Sequence, residues 1–577
     1  MKQSFIEGAV IVSAGGIAAK ILGAFYRIPL TNLLGGQGMG VYQMVYPLYC
    51  LLLTLASAGV PAGLSRIVSV WEARGIPSRG VLSRALLLFG AVGGAGSLLM
   101  LAAAGGVSAL QGEPAAAEAY RMLAPSVFLV ALISCFRGWF QGRHNFLPTA
   151  LSETAEQAVK AALGLSFAYV FRADVYRAVS YALLSVTASE LFALLLLIAL
   201  SLPAKKPLYA PASPPAKSVF RVTLPVAAAA GVLPLSHFAD SVLIVRLLAR
   251  AGIDATAQYG LFAGAASTLV NLPASVCYGL AAAVVPAVSA ARAQGGSGGR
   301  EIAFALKCTL FLSLPAAAFL LAFPGQTCAF LFRSVAGEEG RLLTGLVRAL
   351  SPSAVLLAAA QTLSACLTGC GRPRAAACSM AAGVAVKLAL EAALLSVPAV
   401  GIFGAAYAAD ACYLVALLLN LYYSIRRSRL RAGQSGLAGK IGAAGRGGLQ
   451  AEAGGPYTER GGSHAETHGP QTELRSHSEA RGSQTEPRPH MKARGTHTRA
   501  HLQAEAGGPP VWADALRFLL FSALAVGAAW APAEVHVLWG LAAAGGVYLA
   551  LSWLFRAFSA EELSFIARKK FRKRRTG

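Results

Sequence analysis

Charge is scarce in this 577-residue chain, and negative charge scarcest of all. Only 13% of residues are Asp, Glu, Lys or Arg, and 26 acids face 50 bases. A water-soluble protein of this size does not leave so few charges for its surface. A cysteine framework is also missing. Nine cysteines lie almost entirely in apolar stretches and none forms a CxxC pair. Cys366 and Cys370 are four apart with no His or Cys set around them, so packing explains them better than zinc. No polar loop holds a Ser/His/Asp set, a metal quartet or paired carboxylates, so no catalytic residue, metal or cofactor is expected. Gly35-Gly-Gln-Gly-Met-Gly40 follows an apolar stretch and lacks a Gly-Lys-Ser/Thr ending. It reads as a flexible hinge and not as a phosphate loop. A barrel's strict alternation is absent, and so is a folded basic module with interleaved aromatics, which excludes nucleic-acid binding.

What the chain has instead is long apolar runs: 56% of its residues are hydrophobic and the mean hydropathy is +0.57. Fourteen stretches are long enough to cross a hydrocarbon core of about 30 Å. They fall near 5–26, 41–64, 85–108, 122–141, 151–171, 179–201, 222–249, 258–290, 302–324, 343–368, 376–397, 403–425, 514–531 and 536–556. The first continues past Lys20 without a convincing cleavage site, so it reads as a span and not a signal peptide. Ala, Gly and Ser dominate these runs and allow close helix packing in a bilayer. The expected fold is all-α: a polytopic membrane protein of 14 transmembrane helices.

The first six stretches return as the next six. Arg121-Met-Leu-Ala-Pro125-Ser126 matches Arg348-Ala-Leu-Ser-Pro352-Ser353, Gly142 matches Gly369, and Val159-Lys160 matches Val386-Lys387, all at an offset of 227. Tyr42 matches Tyr259 at an offset of 217. Six spans per copy is an even number, so both copies enter from the same side. Two pseudo-symmetric six-helix lobes should enclose a central cavity and rock to alternate access. The expected divisions are 1–203 for the first lobe, 204–425 for the second, a low-complexity linker at 426–511, a helix pair at 512–557 and a basic tail at 558–577.

Basic residues favour cytoplasmic loops. With the N-terminus inside, Arg66, Arg74, Arg79 and Arg84 fall inside, as do Lys205, Lys206, Lys217, Arg221, Arg372, Arg374 and the tail from Arg568 to Arg575. Both termini are therefore expected in the cytoplasm, at the cell membrane. Of the formal charge of +24, residues 426–511 hold 13 bases and 7 acids, or +6, and 556–577 hold 8 bases and 2 acids, also +6. Anionic lipid head groups are the simple partners for these segments. Residues 426–511 have almost no large apolar side chains and should be disordered. They repeat LQAEAGGP at 449–456 and 502–509 and hold six of the nine histidines, too irregularly spaced for a metal site.

Ionisable residues at membrane depth face a cavity or a partner. Lys20 and Arg27, seven apart, share one helix face, and no acid lies within four positions of Lys20. Such a deep cation invites an anion, and a phosphate-bearing substrate supplies one. Arg137 lies near the inner end of the fourth stretch. Glu153, Glu156 and Lys160 share a face of the fifth. The i,i+4 spacing suggests two ion pairs, Glu156 with Lys160 and Lys387 with Glu391. These would either hold the two halves together or shape a hydrated gate. His237, Asp240 and Arg246 lie in the seventh stretch, with Asp240 and Arg246 a candidate coupling pair.

Three motifs now resemble a known family. They are Lys20-Ile-Leu-Gly23 with Tyr26-Arg-Ile-Pro-Leu-Thr-Asn-Leu-Leu-Gly35 and Gly40-Val-Tyr42-Gln-Met-Val-Tyr46-Pro47; Gly59-Val-Pro-Ala-Gly-Leu-Ser-Arg66; and Arg137-Gly-Trp-Phe-Gln-Gly142 with Pro148 and Glu156-Gln157. Together they resemble the stage V sporulation protein B group of polysaccharide-biosynthesis exporters. That group sits with MurJ-type flippases in the multidrug/oligosaccharidyl-lipid/polysaccharide superfamily. The resemblance covers residues 1–425 and 514–557, while 426–511 has no counterpart, and Phe146 and Glu153 depart from the third motif. It implies a flippase for undecaprenyl-pyrophosphate-linked sugars, with Lys20, Arg27 and Arg66 on the substrate and the last two spans grooved for its prenyl tail. Arg137, Glu156, Lys160, Asp240, Arg246, Lys387 and Glu391 are the candidate gating or coupling residues. The rival readings are a cation-coupled multidrug antiporter of the same superfamily and a membrane scaffold that gathers cell-wall synthesis enzymes. Protease added to inverted vesicles is expected to cut within 426–511, and right-side-out vesicles to resist; cleavage from the outside alone would invert the topology.

Overall fold

A computed structural model describes residues 5–202, 230–250, 252, 254–293, 298–447, 511–555 and 557–558. Lys205, Lys206, Lys217, Arg221, the six histidines of the linker and the basic tail lie outside them. Among the described residues every regular element is helical, as expected when backbone groups at membrane depth must satisfy one another locally.

The first half contains α1 (Phe5–Ser57), α2 (Val60–Ala73), α3 (Arg79–Leu110), α4 (Ala117–Leu123), α5 (Pro125–Gly142), α6 (Leu147–Val170) and α7 (Val175–Ser201). The second contains α8 (Val232–Arg250), α9 (Ala255–Tyr259), a π-helical stretch (Gly260–Ala266), α10 (Ser267–Ala293), α11 (Gly299–Ala322), α12 (Pro324–Leu331), α13 (Gly337–Gly369), α14 (Pro373–Leu394) and α15 (Phe403–Gly447). The pair α16 (Val511–Val535) and α17 (Val537–Leu554) follows. Proline opens several of them, at Pro61, Pro125, Pro148, Pro324 and Pro373, where its missing N–H is not needed. The repeat-equivalent Pro352 instead sits inside α13.

Among the described residues twelve helices are long and apolar enough to cross a membrane, against the fourteen expected. The difference lies at two places. The first and second expected spans run together in one candidate, Ala18–Ala73, with α1 broken only at Gly35, whose φ of 65° and ψ of −172° are non-helical. The other is α6, which is not among the twelve and carries Glu153, Glu156 and Lys160. At the other end of the lobes, α15 continues to Gly447, past the expected start of disorder at 426. The chain divides into two units, Met1–Ile425 with Pro510–Gly577, and Arg426–Pro509.

Each lobe has its own core. Leu30, Met39, Tyr120, Leu123 and Leu183 are buried together in the first. Ile244, Leu261, Leu343, Leu346 and Ala405 are buried together in the second. The α16–α17 pair packs on α11 through Phe319, Phe323, Phe518 and Tyr548. Across that contact Lys307 pairs with Asp514 at 3.2 Å, with both side chains buried. An apolar face alone would let the pair slide in lipid; a buried ion pair fixes its register.

The long helix α1 packs on both lobes: on α6, α7, α3 and α5 in the first, and on α8, α9, the π-helical stretch and α10 in the second. The hydrogen bonds between lobes gather at the end of the molecule that carries Gly35–Gly40. Asn32 donates to the Leu331 carbonyl at 2.7 Å, and Gln43 to the Ala263 carbonyl at 2.6 Å. Gln111 donates to Ser241 at 2.8 Å, and Thr256 to Glu113 at 2.5 Å. Two glycines make this seal possible. A Cβ on Gly40 would lie 2.0 Å from the Thr256 carbonyl oxygen, and one on Gly260 would lie 2.1 Å from that of Gly36. The expected flexible hinge is therefore one kink at Gly35 beside a tightly packed contact.

Gly40→Ala should force the lobes apart at this end. Overpacking costs about 1–3 kcal/mol, enough to shift the closed population by roughly tenfold or more. Spin labels at the exposed Arg177 and Glu338 should report a longer, broader distance in this variant than in the parent; an unchanged distribution would show that the glycine contact does not hold the seal.

Candidate functional site: a cationic cavity between the lobes

Below the seal lies a cavity of about 410 Å³, within the usual size of small-molecule sites. From the first lobe it is lined by Lys20 and Arg27 of α1 and Lys160 of α6. The seven-residue spacing does what it promised and turns both α1 cations to one face. Aromatic rings back them: the Arg27 guanidinium lies 5.9 Å from the Tyr46 ring centre, and the Lys160 ammonium 5.9 Å from that of Tyr26. Tyr42 also lines the wall and stacks on Tyr46 at 5.6 Å. Such rings hold a cation's position without neutralising it. The second lobe offers uncharged polar groups, Thr268, Asn271 and Ser275 of α10. No Asp or Glu lines the cavity among the described residues.

Most of these wall residues escaped the reading of the sequence. Tyr42 and Tyr46 are spaced i, i+4, and Thr268, Asn271 and Ser275 i, i+3, i+7. Each set marks one helix face, yet polar or aromatic stripes in apolar helices are common enough to pass unnoticed. Arg66 lies exposed on α2 and is not among the lining residues, so the structure does not bring it to Lys20 and Arg27.

Two expected ion pairs are replaced. Glu156 pairs with Arg137 at 3.0 Å, not with Lys160. Arg137 also reaches Glu153 at 4.0 Å, and its Nε donates to Ser152 at 3.1 Å. Spacing along one helix suggested Lys160, but α5 brings a guanidinium with several donors to the same carboxylate. Asp240 pairs with Lys387, not with Arg246. Arg246 donates instead to the Leu110 carbonyl at 2.6 Å, across the lobes. The third pair forms as expected, Lys387 with Glu391 at 3.6 Å. Both acid clusters lie within single lobes, so neither joins the halves.

The second-lobe cluster is deeply buried. The side chains of Lys387, Asp240 and Glu391 are 8%, 4% and 0% exposed. His237 stands at its rim, 3.4 Å from Asp240. Repeat-equivalent positions have thus diverged: Lys387 is enclosed by two carboxyl groups, whereas Lys160 faces the cavity. Another buried acid was not anticipated. Glu190 of α7, 1% exposed, accepts a hydrogen bond from the Tyr49 hydroxyl. It lies in an apolar run where the sequence carries no second charge to signal it.

Residues 5–292 match the family model described as polysaccharide biosynthesis protein. The chain is 29% identical over 432 residues to stage V sporulation protein B of Bacillus subtilis (strain 168), covering 70% of this chain and 81% of that protein. It is 24% identical over 425 residues to the lipid II flippase MurJ of the same organism, covering 68% and 78%. Its fold is similar to the inward-facing conformation of a multidrug resistance MATE family transporter of the MOP superfamily. There the TM-score is 0.62 at 20% identity, over 74% of this chain and 99% of that one.

Removing the cation from the second-lobe cluster would leave two buried carboxyl groups without it. Lys387→Met is expected to destabilise the protein by about 3–5 kcal/mol, read as a lower melting temperature in detergent. Asp240→Asn added to it should recover part of the loss. Equal melting of Lys387→Met and the parent would show that the pair holds nothing.

Proposed function

Because the chain belongs to the stage V sporulation protein B and MurJ-like group of polysaccharide-biosynthesis exporters, we propose that it flips an undecaprenyl-pyrophosphate-linked oligosaccharide across the cytoplasmic membrane. Lipid II or a related cell-wall precursor is the favoured substrate. The protein is a multi-pass membrane flippase or transporter and not an enzyme.

One observation carries the finer reading, the cavity whose charged lining residues are Lys20, Arg27 and Lys160. A cavity for cationic drugs would present carboxylates. This one presents donors to an anion, with tyrosine faces and amide and hydroxyl groups on which sugars stack and hydrogen-bond. The apolar prenyl tail would stay in lipid. The outward faces of α16 and α17, with Leu516, Leu520, Leu541 and Leu549 exposed, offer it a path. The basic loops, placed in the cytoplasm by their charge, put the sealed end outside. The cavity then loads from the cytoplasmic side, and transport requires the seal to part as the other end closes. Asp240, Lys387 and Glu391 are placed to bias that exchange from within the second lobe. Anionic lipids would hold the basic loops and tail, and cell-wall synthesis enzymes are the expected neighbours.

Reconstituted in proteoliposomes, the protein should translocate lipid II faster than an O-antigen-type lipid and should not move a cationic dye. Lys20→Ala and Arg27→Ala should each slow translocation by about tenfold or more at unchanged membrane expression. Arg27→Lys should do less harm if charge alone matters and more if a two-point grip is needed. Parental transport by the double alanine variant, or dye transport in place of lipid transport, would overturn the proposal.

A further inference from the structure

Resting on that reading of the cavity, we infer that Lys160 is a third anion-binding residue, and that Arg137 is the positioning residue that keeps it so by holding Glu156 away from it.

Glu156 and Lys160 are one turn apart, where an acid and a base ordinarily pair. In this fold they do not, because both Glu156 oxygens are already engaged. Arg137 Nη2 donates to Oε2 at 3.0 Å, and Gln157 Nε2 donates to Oε1 at 3.3 Å. The other acids of the lobe near Lys160 also have partners of their own, Glu190 on one oxygen only. Glu153 lies against Arg137. Glu190 receives the Tyr49 hydroxyl. Lys160 makes no ion pair among the described residues and lies at the cavity wall beside the Tyr26 ring. An ammonium group at membrane depth without a direct ion pair is costly, and the cavity that Lys160 lines is a route by which an anion can reach it.

The second lobe supplies the contrast. Its equivalent lysine, Lys387, is enclosed by Asp240 and Glu391 and is closed to any ligand. The same residue at the same repeat position is therefore structural in one lobe and available in the other. The acids differ between the lobes as well as the arginine: at the offset of 227, Glu156 falls on Gly383, Glu391 on Gly164 and Arg137 on Ser364. In the first lobe the acid one turn from the lysine is taken up by Arg137, and in the second Glu391 stays with Lys387. Arg137 opens the third of the recurring motifs, and Glu156-Gln157 stands downstream of it. The structure brings all three together on one carboxylate and gives their association a purpose.

The test uses the full-length chain in lipid nanodiscs. The probe is a short-chain prenyl diphosphate sugar, whose phosphodiester groups keep their charge. Lys160→Ala and Arg137→Gln should each weaken its binding by about tenfold. In Arg137→Gln the freed Glu156 neutralises Lys160, so Glu156→Gln added to it should restore binding. A merely structural role for Arg137 predicts no rescue, since the double variant lacks the ion pair altogether. Should Arg137→Gln fail to fold, Glu156→Gln alone decides. It removes a nearby negative charge and should tighten binding by about threefold, while unchanged or weaker binding overturns the competition. If the parent binds the probe and Lys160→Ala binds equally well, this inference fails and the proposed function stands. If the parent binds none, the proposed function fails and the inference goes with it.

Discussion

A charge at membrane depth must find a counter-charge, a hydrogen bond or water, and the interior of this protein is arranged around how few charges it has. In a soluble protein a stray lysine reaches solvent at little cost. Here the deep basic side chains among the described residues meet a carboxylate, meet a backbone carbonyl as Arg246 does, or turn to the cavity between the lobes. Lys387 and Lys307 take the first course and tie helices together. Arg27 and Lys160 take the last and make that cavity cationic.

Arg137 shapes this division. Its guanidinium takes up Glu153 and Glu156, which share a face of α6 with Lys160, and so keeps their carboxylates from pairing with that lysine. The duplicated lobe has no arginine at the equivalent position, and there the lysine is consumed by its neighbours. The two frameworks are similar, and the acids placed around each lysine, Glu156 in one and Asp240 with Glu391 in the other, separate their roles.

The closed end follows a different rule, that of close backbone approach. Gly36 and Gly40 on α1 meet Thr256 and Gly260 at distances no side chain would allow, and the π-helical turn at 260–266 lies at that contact. Polar side chains such as Gln43, Gln111 and Glu113 then bridge carbonyls and hydroxyls across the lobes. Such contacts are directional and few, and they lie outside both lobe cores; the proposed alternation of access requires them to part.

The membrane-embedded, all-helical fold, the two lobes and the shared face of Lys20 and Arg27 were legible in the sequence alone. Hydrophobic run length, a constant repeat offset and helical periodicity are properties of the chain along its own axis. So was the pair Lys387–Glu391, because its partners lie one turn apart on one helix. What the tertiary structure alone decided is which charge meets which across helices. Glu156 turns to Arg137 and Asp240 to Lys387, while Arg66 stays apart from the cavity and Thr268, Asn271 and Ser275 arrive to complete it. Those choices depend on the relative rotation and depth of neighbouring helices, which packing of the whole lobe determines and no local spacing encodes.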